Sequence, residues 1–188
     1  MRPRIALAVV LALFGLGFLQ LGHGAWIHIK ARLAQVLLHH AWRRTIAGEA
    51  HAKPWPWADT WPAARLRVPR HQIDVFVLAS ANPRTLAFGP ALVGEPLEVA
   101  AGLIVIAGHR DTHFRFLKDL RPGDEIALEV AGRPTRRYRV TDSEVINARD
   151  VKLVESDDSG LVLATCYPFE ALLPGGPQRY LVFSERVR

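Results

Sequence analysis

From residue 65 onward, short runs rich in Val, Ile and Leu alternate with turn sequences. The turns contain Asn-Pro, Arg-Pro-Gly-Asp, Gly-Arg-Pro and Pro-Gly-Gly-Pro, which favour reversals of the chain. Seven or eight such runs with few helices predict a mainly β fold, either a sandwich or a closed barrel. The predicted strands cover 65–68, 73–79, 103–107, 125–130, 136–146, 161–165 and 179–186, and residues 114–120 are expected to form one or two helical turns.

The amino-terminal end has a different pattern, because it is apolar on every face. Residues 5–22 form a continuous apolar stretch in which Gln20 is the only polar side chain. As a helix this stretch would rise roughly 27 Å, close to the ~30 Å hydrocarbon core of a bilayer. We therefore predict an uncleaved membrane anchor over residues 1–26, in preference to a cleaved signal peptide, whose apolar centre is shorter. Arg2 and Arg4 ahead of the stretch favour a cytoplasmic amino end, but basic residues on the other side nearly balance them, namely Lys30, Arg32, Arg43 and Arg44.

Residues 27–63 are expected to join this anchor to the globular domain, which covers 64–188. Apolar positions near helical spacing predict an amphipathic helix over 27–48 that ends at Gly48. Its predicted apolar face consists of Ile29, Leu33, Val36, Leu37, His40 and Ile46. A Pro/Trp-rich connector follows, whose prolines prevent regular helix. Its tryptophans, Trp55, Trp57 and Trp61, either lie in a membrane interface or, as we favour, pack on the domain.

The net charge of +6 is not spread along the chain. Residues 1–53 hold 7 basic residues and 1 acidic residue, which accounts for the whole excess, and residues 54–188 hold 17 of each. A neutral globular part lacks the basic surface that neutralises phosphates, so we predict no nucleic-acid partner. The chain has one Cys, so no intramolecular disulfide holds the fold together.

Candidate chemistry lies where three predicted strands begin or end. One strand runs into His109, another ends at Cys166, and the last begins beside Arg179. A thiol at the end of a strand can attack a carbonyl once a neighbouring group takes its proton. An imidazole can take that proton and later protonate a leaving amine. A guanidinium stays protonated and can donate hydrogen bonds to a developing oxyanion.

The order His, Cys, Arg in the settings VIAGHRDTHF, LVLATC and QRYLVF resembles the sortases, membrane-bound cysteine transpeptidases. The resemblance covers roughly residues 65–188 and implies a closed eight-stranded β-barrel with short helices. It implies His109, Cys166 and Arg179 as catalytic residues. The implied reaction is cleavage of an LPxTG-like sorting signal between Thr and Gly through a thioester, followed by transfer to an amine. The implied partners are a substrate protein with a carboxy-terminal sorting signal and an amine acceptor that the sequence does not identify.

Finer features resemble one branch of that family. Residues 89–102 are similar to the loop and helix of class D-like sortases, and the Pro/Trp-rich connector resembles the sortases of Gram-negative (proteobacterial) bacteria. This implies a single-pass protein of the inner membrane with its catalytic domain in the periplasm. Where the family signature T-L-x-T-C begins with Thr, this chain has Val162. Thr165 is retained, and the resemblance implies that it contacts substrate. No metal or cofactor is expected.

Two other classes of function remain open on the residues alone. His109, Asp111 and His113 would suit a metal-dependent hydrolase if their loop were helical, because two His residues four positions apart then share one face. A membrane-tethered β-barrel binding module without chemistry is the third interpretation, which an unreactive, buried Cys166 would favour.

Overall fold

The structure, a computed structural model, describes residues 11, 13, 17, 32–94, 97, 102–149, 160–171 and 175–187. The chain divides into two units, Met1–Leu37 and Leu38–Arg188. The predicted anchor lies outside the described residues, apart from positions 11, 13 and 17, which are helical. Among the positions described, no helix has the length and apolarity needed to span a bilayer.

The predicted amphipathic helix is present as α1, which covers 32–46. It is followed by Gly48, whose φ of 102° is readily adopted only by glycine, so the predicted end is confirmed. The predicted apolar face is wrong, because Val36 and Ile46 are 64% and 54% exposed. Within the second unit the buried positions of α1 are Leu38, Ala41 and Trp42. Small Ala41 and large Trp42 therefore belong to the buried face of the helix. This face is rotated around the helix axis from the predicted one, which included His40.

Eight strands form a closed barrel in the order β1-β2-β3-β4-β7-β8-β6-β5. The mainly β fold and the barrel are therefore confirmed. The β2–β3 and β4–β7 pairs are parallel and the other pairs are antiparallel. The strands are β1 (Pro62–Val68), β2 (Ile73–Leu78), β3 (Ala91–Val93), β4 (Ile104–Ala107), β5 (Glu125–Glu129), β6 (Arg136–Asn147), β7 (Leu161–Tyr167) and β8 (Gln178–Arg186). Among the described connections are one α-helical turn, α2 (Pro83–Leu86), and two 3-10 helices, Pro69–His71 and Arg115–Asp119.

The strand β3 is a correction to the sequence prediction, which assigned its segment to a loop and a helix. It contributes three residues, paired to β4 through Ala91, Leu92 and Val93. Such a short run carries too little alternation to be recognised, and only its pairing makes it a strand. The first strand also begins at Pro62, before its predicted start at residue 65. Proline is tolerated there because it is the first residue of the strand.

Alternate residues of the strands fill the barrel interior. Leu66, Ile106, Ile126, Leu163 and Val182 are each 0% exposed and belong to one hydrophobic cluster. Burial of each such side chain stabilises the fold by about 1.5–3 kcal/mol. The opposite set of residues on β4, β7 and β8 faces outward, and these positions form the floor of the candidate site.

A bulge in β6 changes which residues face that floor. Tyr138 and Val140 are buried in the core, but the register with β8 shifts between Val140 and Asp142. Beyond the shift, Glu144 and Ile146 line the outer cavity. One extra residue reverses the alternation of a strand, because side chains alternate with a period of two. The even-numbered positions of β6 therefore pass from the core to the outer face.

Two of the three connector tryptophans pack on aromatic neighbours. The ring centroids of Trp55 and Phe88 are 5.0 Å apart, and those of Trp61 and His51 are 4.2 Å apart. The packing interpretation is thus confirmed for Trp55, whose partner belongs to the domain, whereas His51, which contacts Trp61, lies in the connector. Trp57 is 83% exposed, so the prediction of packing is wrong for this residue.

Candidate active site

Cys166 on β7 lies directly opposite Arg179 on β8. Opposed residues of an antiparallel pair have Cα atoms about 4.5–5.5 Å apart and side chains on the same face. Both residues are half-buried. On β7 the alternation sends Leu161 and Leu163 into the core and leaves Cys166 on the outer face of the sheet.

His109 is placed beside Cys166 by the neighbouring strand. Strand β4 runs parallel to β7, with Ala107 level with Ala164. The next residue, Gly108, extends this pairing, because its N–H donates to the Ala164 carbonyl at 3.1 Å. His109 follows at the point where the strand opens into a turn, and its side chain is exposed.

One outer cavity of about 620 Å³ is lined by His109, Cys166 and Arg179 together. The structure therefore brings together the three residues that the sequence analysis singled out. The cavity is otherwise mostly apolar. Its apolar lining comprises Leu86, Val93, Leu103, Val105, Ala107, Ile146, Ala148, Val162, Ala164, Leu181 and Phe183.

Thr165 borders the same cavity but is only 2% exposed. Its hydroxyl donates to the Gly108 carbonyl at 2.7 Å. The bond ties the residue before Cys166 to the residue before His109, so this side chain positions the turn that carries His109. The predicted contact of Thr165 with substrate stays a prediction.

The turn that carries His109 is also held in place by Phe114 and Arg110. The Phe114 N–H donates to the His109 carbonyl at 2.9 Å, and the Phe114 ring is fully buried. A Cβ added at Gly108 would lie 2.8 Å from Cγ of Phe114, so glycine is required here by the close approach of the ring. Arg110, 5% exposed, donates to the Ala171 carbonyl at 2.7 Å and ties the turn to the segment after β7.

The guanidinium of Arg179 is fixed to the backbone that precedes it. Its Nη1 donates to the carbonyls of Gly176 and Gln178, at 2.7 Å and 2.8 Å. Among the described residues its Nε and Nη2 have no hydrogen-bond partner. The group is therefore anchored through one nitrogen and keeps donors for a further acceptor.

The turn conformation of residues 110–114 bears on the metal-hydrolase interpretation. His113 is half-buried; burial, and then the neighbouring His109, lower its pKa, and a hydrogen bond with the Ala87 backbone opposes this. Asp111 is exposed. Within the described part of the chain, no group of three His, Cys, Asp or Glu side chains is arranged to hold a metal ion. Without a helix, His109 and His113 lose the shared face that the metal interpretation needed.

Several residues around the site were not predicted. Alternation along β7 and β8 could have indicated Val162 and Phe183 as floor residues, but Glu144 could not be found, because the bulge in β6 is not visible in the sequence pattern.

An aromatic cluster also follows Cys166. The ring of Tyr180 is 6.4 Å from that of Tyr167 and 5.3 Å from that of Phe169.

Comparisons with known proteins point to one family. The sortase domain family matches residues 66–187, which is more than half of the chain. Sortase D of Bacillus subtilis (strain 168) is 34% identical over 89 residues, which are 46% of this chain and 43% of that protein. The chain thus spans less than half the length of the curated relative that it matches.

Solved structures agree with this match. Sortase C-1 from Actinomyces oris has 26% sequence identity and a TM-score of 0.59, covering 68% of this chain and 75% of that chain. Sortase A from Corynebacterium diphtheriae has 22% identity and a TM-score of 0.61, covering 82% of this chain and 84% of that chain. The second likeness is one of fold. With an eight-stranded barrel, a His, Cys and Arg around one cavity, and a domain match over 66–187, this chain belongs to the sortase family.

Proposed function

We propose that the chain is a membrane-anchored cysteine transpeptidase. It cleaves an LPxTG-like sorting signal through a thioester on Cys166 and transfers the acyl group to an amine. The observation that carries this proposal is the convergence of His109, Cys166 and Arg179 on one cavity, with Cys166 and Arg179 directly opposed. The apolar floor of that cavity suits an extended peptide with apolar side chains.

The first half of the reaction forms the acyl-enzyme. His109 takes the proton of the Cys166 thiol, and Sγ attacks the carbonyl carbon of the scissile bond. The carbonyl electron pair moves to oxygen, and Arg179 donates hydrogen bonds to this oxyanion. The oxyanion then collapses, the C–N bond breaks, and the departing amine takes the proton from the His109 imidazolium.

The second half resolves the thioester. An incoming amine attacks the acyl carbon, His109 takes the proton that this amine loses, and the Cys166 thiolate leaves. Water in place of the amine gives hydrolysis by the same steps. Within the proposal, the guanidinium of Arg179 is anchored in advance and therefore reorganises little during either half of the reaction. Hydrogen-bond donors that are preorganised in this way stabilise the oxyanion more strongly.

Intact-mass spectrometry tests the proposal directly. The full-length protein in detergent is incubated with a pool of LPxTG-like peptides, next to a Cys166→Ala variant. We expect an added acyl mass on the parent alone, and loss of that mass when an amine such as triglycine is added. If the parent forms no adduct and Cys166 of the folded protein also resists alkylation, the enzyme proposal fails and the binding module replaces it.

Variants of the other two residues test their roles. His109→Ala and Arg179→Ala should each lower kcat/KM by at least about 10²-fold, as expected for a lost general acid or oxyanion donor. Near-normal kcat/KM in either variant would remove that residue from the mechanism.

The cellular setting is part of the same proposal. The apolar stretch 5–22 supports an anchor in the inner membrane, and the resemblance to class D-like sortases of Gram-negative bacteria, which stays a prediction from the sequence, favours a periplasmic catalytic domain. Protease added to spheroplasts should digest the carboxy-terminal domain. Complete protection of that domain in intact spheroplasts, with digestion after lysis, would reverse the orientation.

A further inference from the structure

Glu144 is the one carboxylate on the described lining of the active-site cavity. The other polar members of that lining are His109, Thr165, Cys166 and Arg179, which the proposed function already uses. The remaining lining residues are apolar or glycine. A carboxylate in such a wall is an isolated negative charge that faces whatever the cavity binds.

The side chain reaches the cavity because of the β6 bulge. Without the register shift between Val140 and Asp142, position 144 would continue the even-numbered series of Tyr138 and Val140 into the core. The bulge sends Glu144 to the outer face instead, where it lies opposite Leu181 of the floor. Bulges near active sites commonly redirect a side chain in this way.

Glu144 has no ion-pair or hydrogen-bond partner among the described residues. Its diagonal neighbour Arg179 donates through Nη1 to backbone carbonyls of its own loop rather than to this carboxylate. The charge of Glu144 is therefore not neutralised by the described wall of the cavity. Glu144 is exposed, so water solvates its charge in the free protein. A bound cation would pair with the carboxylate, whereas an acidic ligand would meet like-charge repulsion.

The position of Glu144 falls within the span of a sorting signal. From Cys166 it is two strands across, roughly 10 Å, and one pair of residues along, roughly 7 Å, so the separation is about 12 Å. The four residues that precede a scissile bond span about 13 Å when extended. The carboxylate therefore lies within reach of side chains in the half of the signal that becomes attached to Cys166.

Resting on the proposed function, we infer that Glu144 is a specificity residue that selects sorting signals with a basic side chain before the scissile bond. A Lys or Arg at the variable position of an LPxTG-like motif, or directly before its Leu, pairs with Glu144 while the apolar residues occupy the floor. Signals with an acidic side chain at these positions are disfavoured.

Acylation kinetics of the full-length protein test the inference. Two series of peptides carry Lys, Gln or Glu at the variable position or directly before Leu, and kcat/KM is measured for each. We expect Lys to exceed Glu by about five- to tenfold in at least one series, which corresponds to about 1–1.4 kcal/mol. Glu144→Gln should reduce this ratio to about one, and Glu144→Lys should invert it. The ratio should also shrink at 1 M salt, where the Debye length is about 3 Å.

Asp142→Asn is the matched control, because Asp142 is an exposed carboxylate on the same strand outside the cavity lining. It should leave the Lys-to-Glu ratio unchanged. Equal rates for Lys and Glu peptides in both series, or a Glu144→Gln loss that is uniform over all peptides, would overturn the inference while the enzyme proposal stands. Failure of every peptide to acylate Cys166 would instead count against the proposed function itself.

Discussion

Thr165 and Gly108 are joined across β7 and β4 by a 2.7 Å hydrogen bond from the threonine hydroxyl to the glycine carbonyl. The residues that follow them are Cys166 and His109, so this bond, together with the one from the Gly108 N–H to the Ala164 carbonyl, holds the two strand ends that carry these side chains. Thr165 is 2% exposed, and its hydroxyl donates its proton to this contact. The predicted contact of Thr165 with substrate stays a prediction beside this structural role.

Thr165→Val should distinguish the effect of this hydrogen bond from the effect of the side chain's shape. The substitution keeps the branched volume but removes the donor, which leaves the buried Gly108 carbonyl unsatisfied at a cost of about 1–3 kcal/mol in stability. We expect a lower midpoint of thermal unfolding and a lower kcat in the peptide acylation assay. Thr165→Ser retains the hydroxyl and should keep most of the activity. A valine variant with wild-type kcat would exclude the positioning role.

Gly108→Ala should lower both stability and activity, because the new side chain would clash with Phe114. The new Cβ would meet the ring at 2.8 Å, so the ring or the His109 turn must move. Overpacking of this kind costs about 1–3 kcal/mol, and a displaced turn also lowers activity. Thermal unfolding and acylation rate measure the two effects.

The double variant Gly108→Ala/Phe114→Ala supplies the control for that prediction. Alanine has no Cγ, so it removes the atom that the new Cβ would meet at 2.8 Å, and part of the lost activity should return although the core loses the aromatic ring. If the losses of activity in the two single variants simply add in the double variant, a clash with the new Cβ is not the cause of the loss.

The sequence predicted a mainly β fold because its strands are separated by strong turn signals, and the resemblance to the sortases selected the closed barrel over a sandwich. The approximate bounds of β6, β7 and β8 followed from runs of Val, Ile and Leu. The bulge between Val140 and Asp142 did not follow, because a register shift is a property of the β6–β8 pair and leaves no mark in either strand alone. The three-residue β3 was missed for a similar reason, since its pairing defines it.

The candidate site was likewise predicted only in part. His109, Cys166 and Arg179 stand at strand ends that the sequence indicates, and the order of these residues carried the family resemblance. That Cys166 faces Arg179, and that Thr165 faces inward, depends on register and on which face of each strand is buried. The face of α1 was wrong because Leu33 and Val36 suited a helical stripe as well as the buried positions did. Apolar periodicity alone does not say which of two faces meets the barrel.

Asp124 should make stability depend on pH in the acid range. Burial by itself raises its pKa, but hydrogen bonds from the Arg121 N–H, Arg70 and His71 outweigh burial and lower the pKa from 3.8 to about 2. A carboxyl with a lowered pKa stabilises the fold fully above its unfolded value and loses that effect as pH falls through the folded value. We expect a contribution of about 1–2 kcal/mol at pH 6 that disappears between pH 4 and pH 2.

The comparison of wild type with Asp124→Asn isolates this contribution. The difference in free energy of unfolding, from urea titrations at several pH values, should be largest near neutral pH and approach zero near pH 2. Asp142→Asn, at an exposed carboxylate, should change stability by less than about 0.5 kcal/mol. A wild-type advantage over Asp124→Asn that stays constant down to pH 2 would contradict the assignment.

Arg179→Lys should lose most of the activity although the charge is kept. In the structure Nη1 donates to the carbonyls of Gly176 and Gln178, and in the proposed mechanism the remaining nitrogens of the planar group donate to the oxyanion. A lysine has a single nitrogen, which cannot hold the loop carbonyls and reach the oxyanion with the same geometry. We expect kcat to fall by about 10²-fold, the usual effect of losing one oxyanion donor. KM for the peptide should change much less, because the apolar floor of the cavity is untouched. Arg137→Lys, at an exposed position of β6, is the matched control and should retain wild-type kinetics. An Arg179→Lys enzyme within threefold of wild-type kcat would mean that positive charge alone, without the guanidinium geometry, is what the reaction requires.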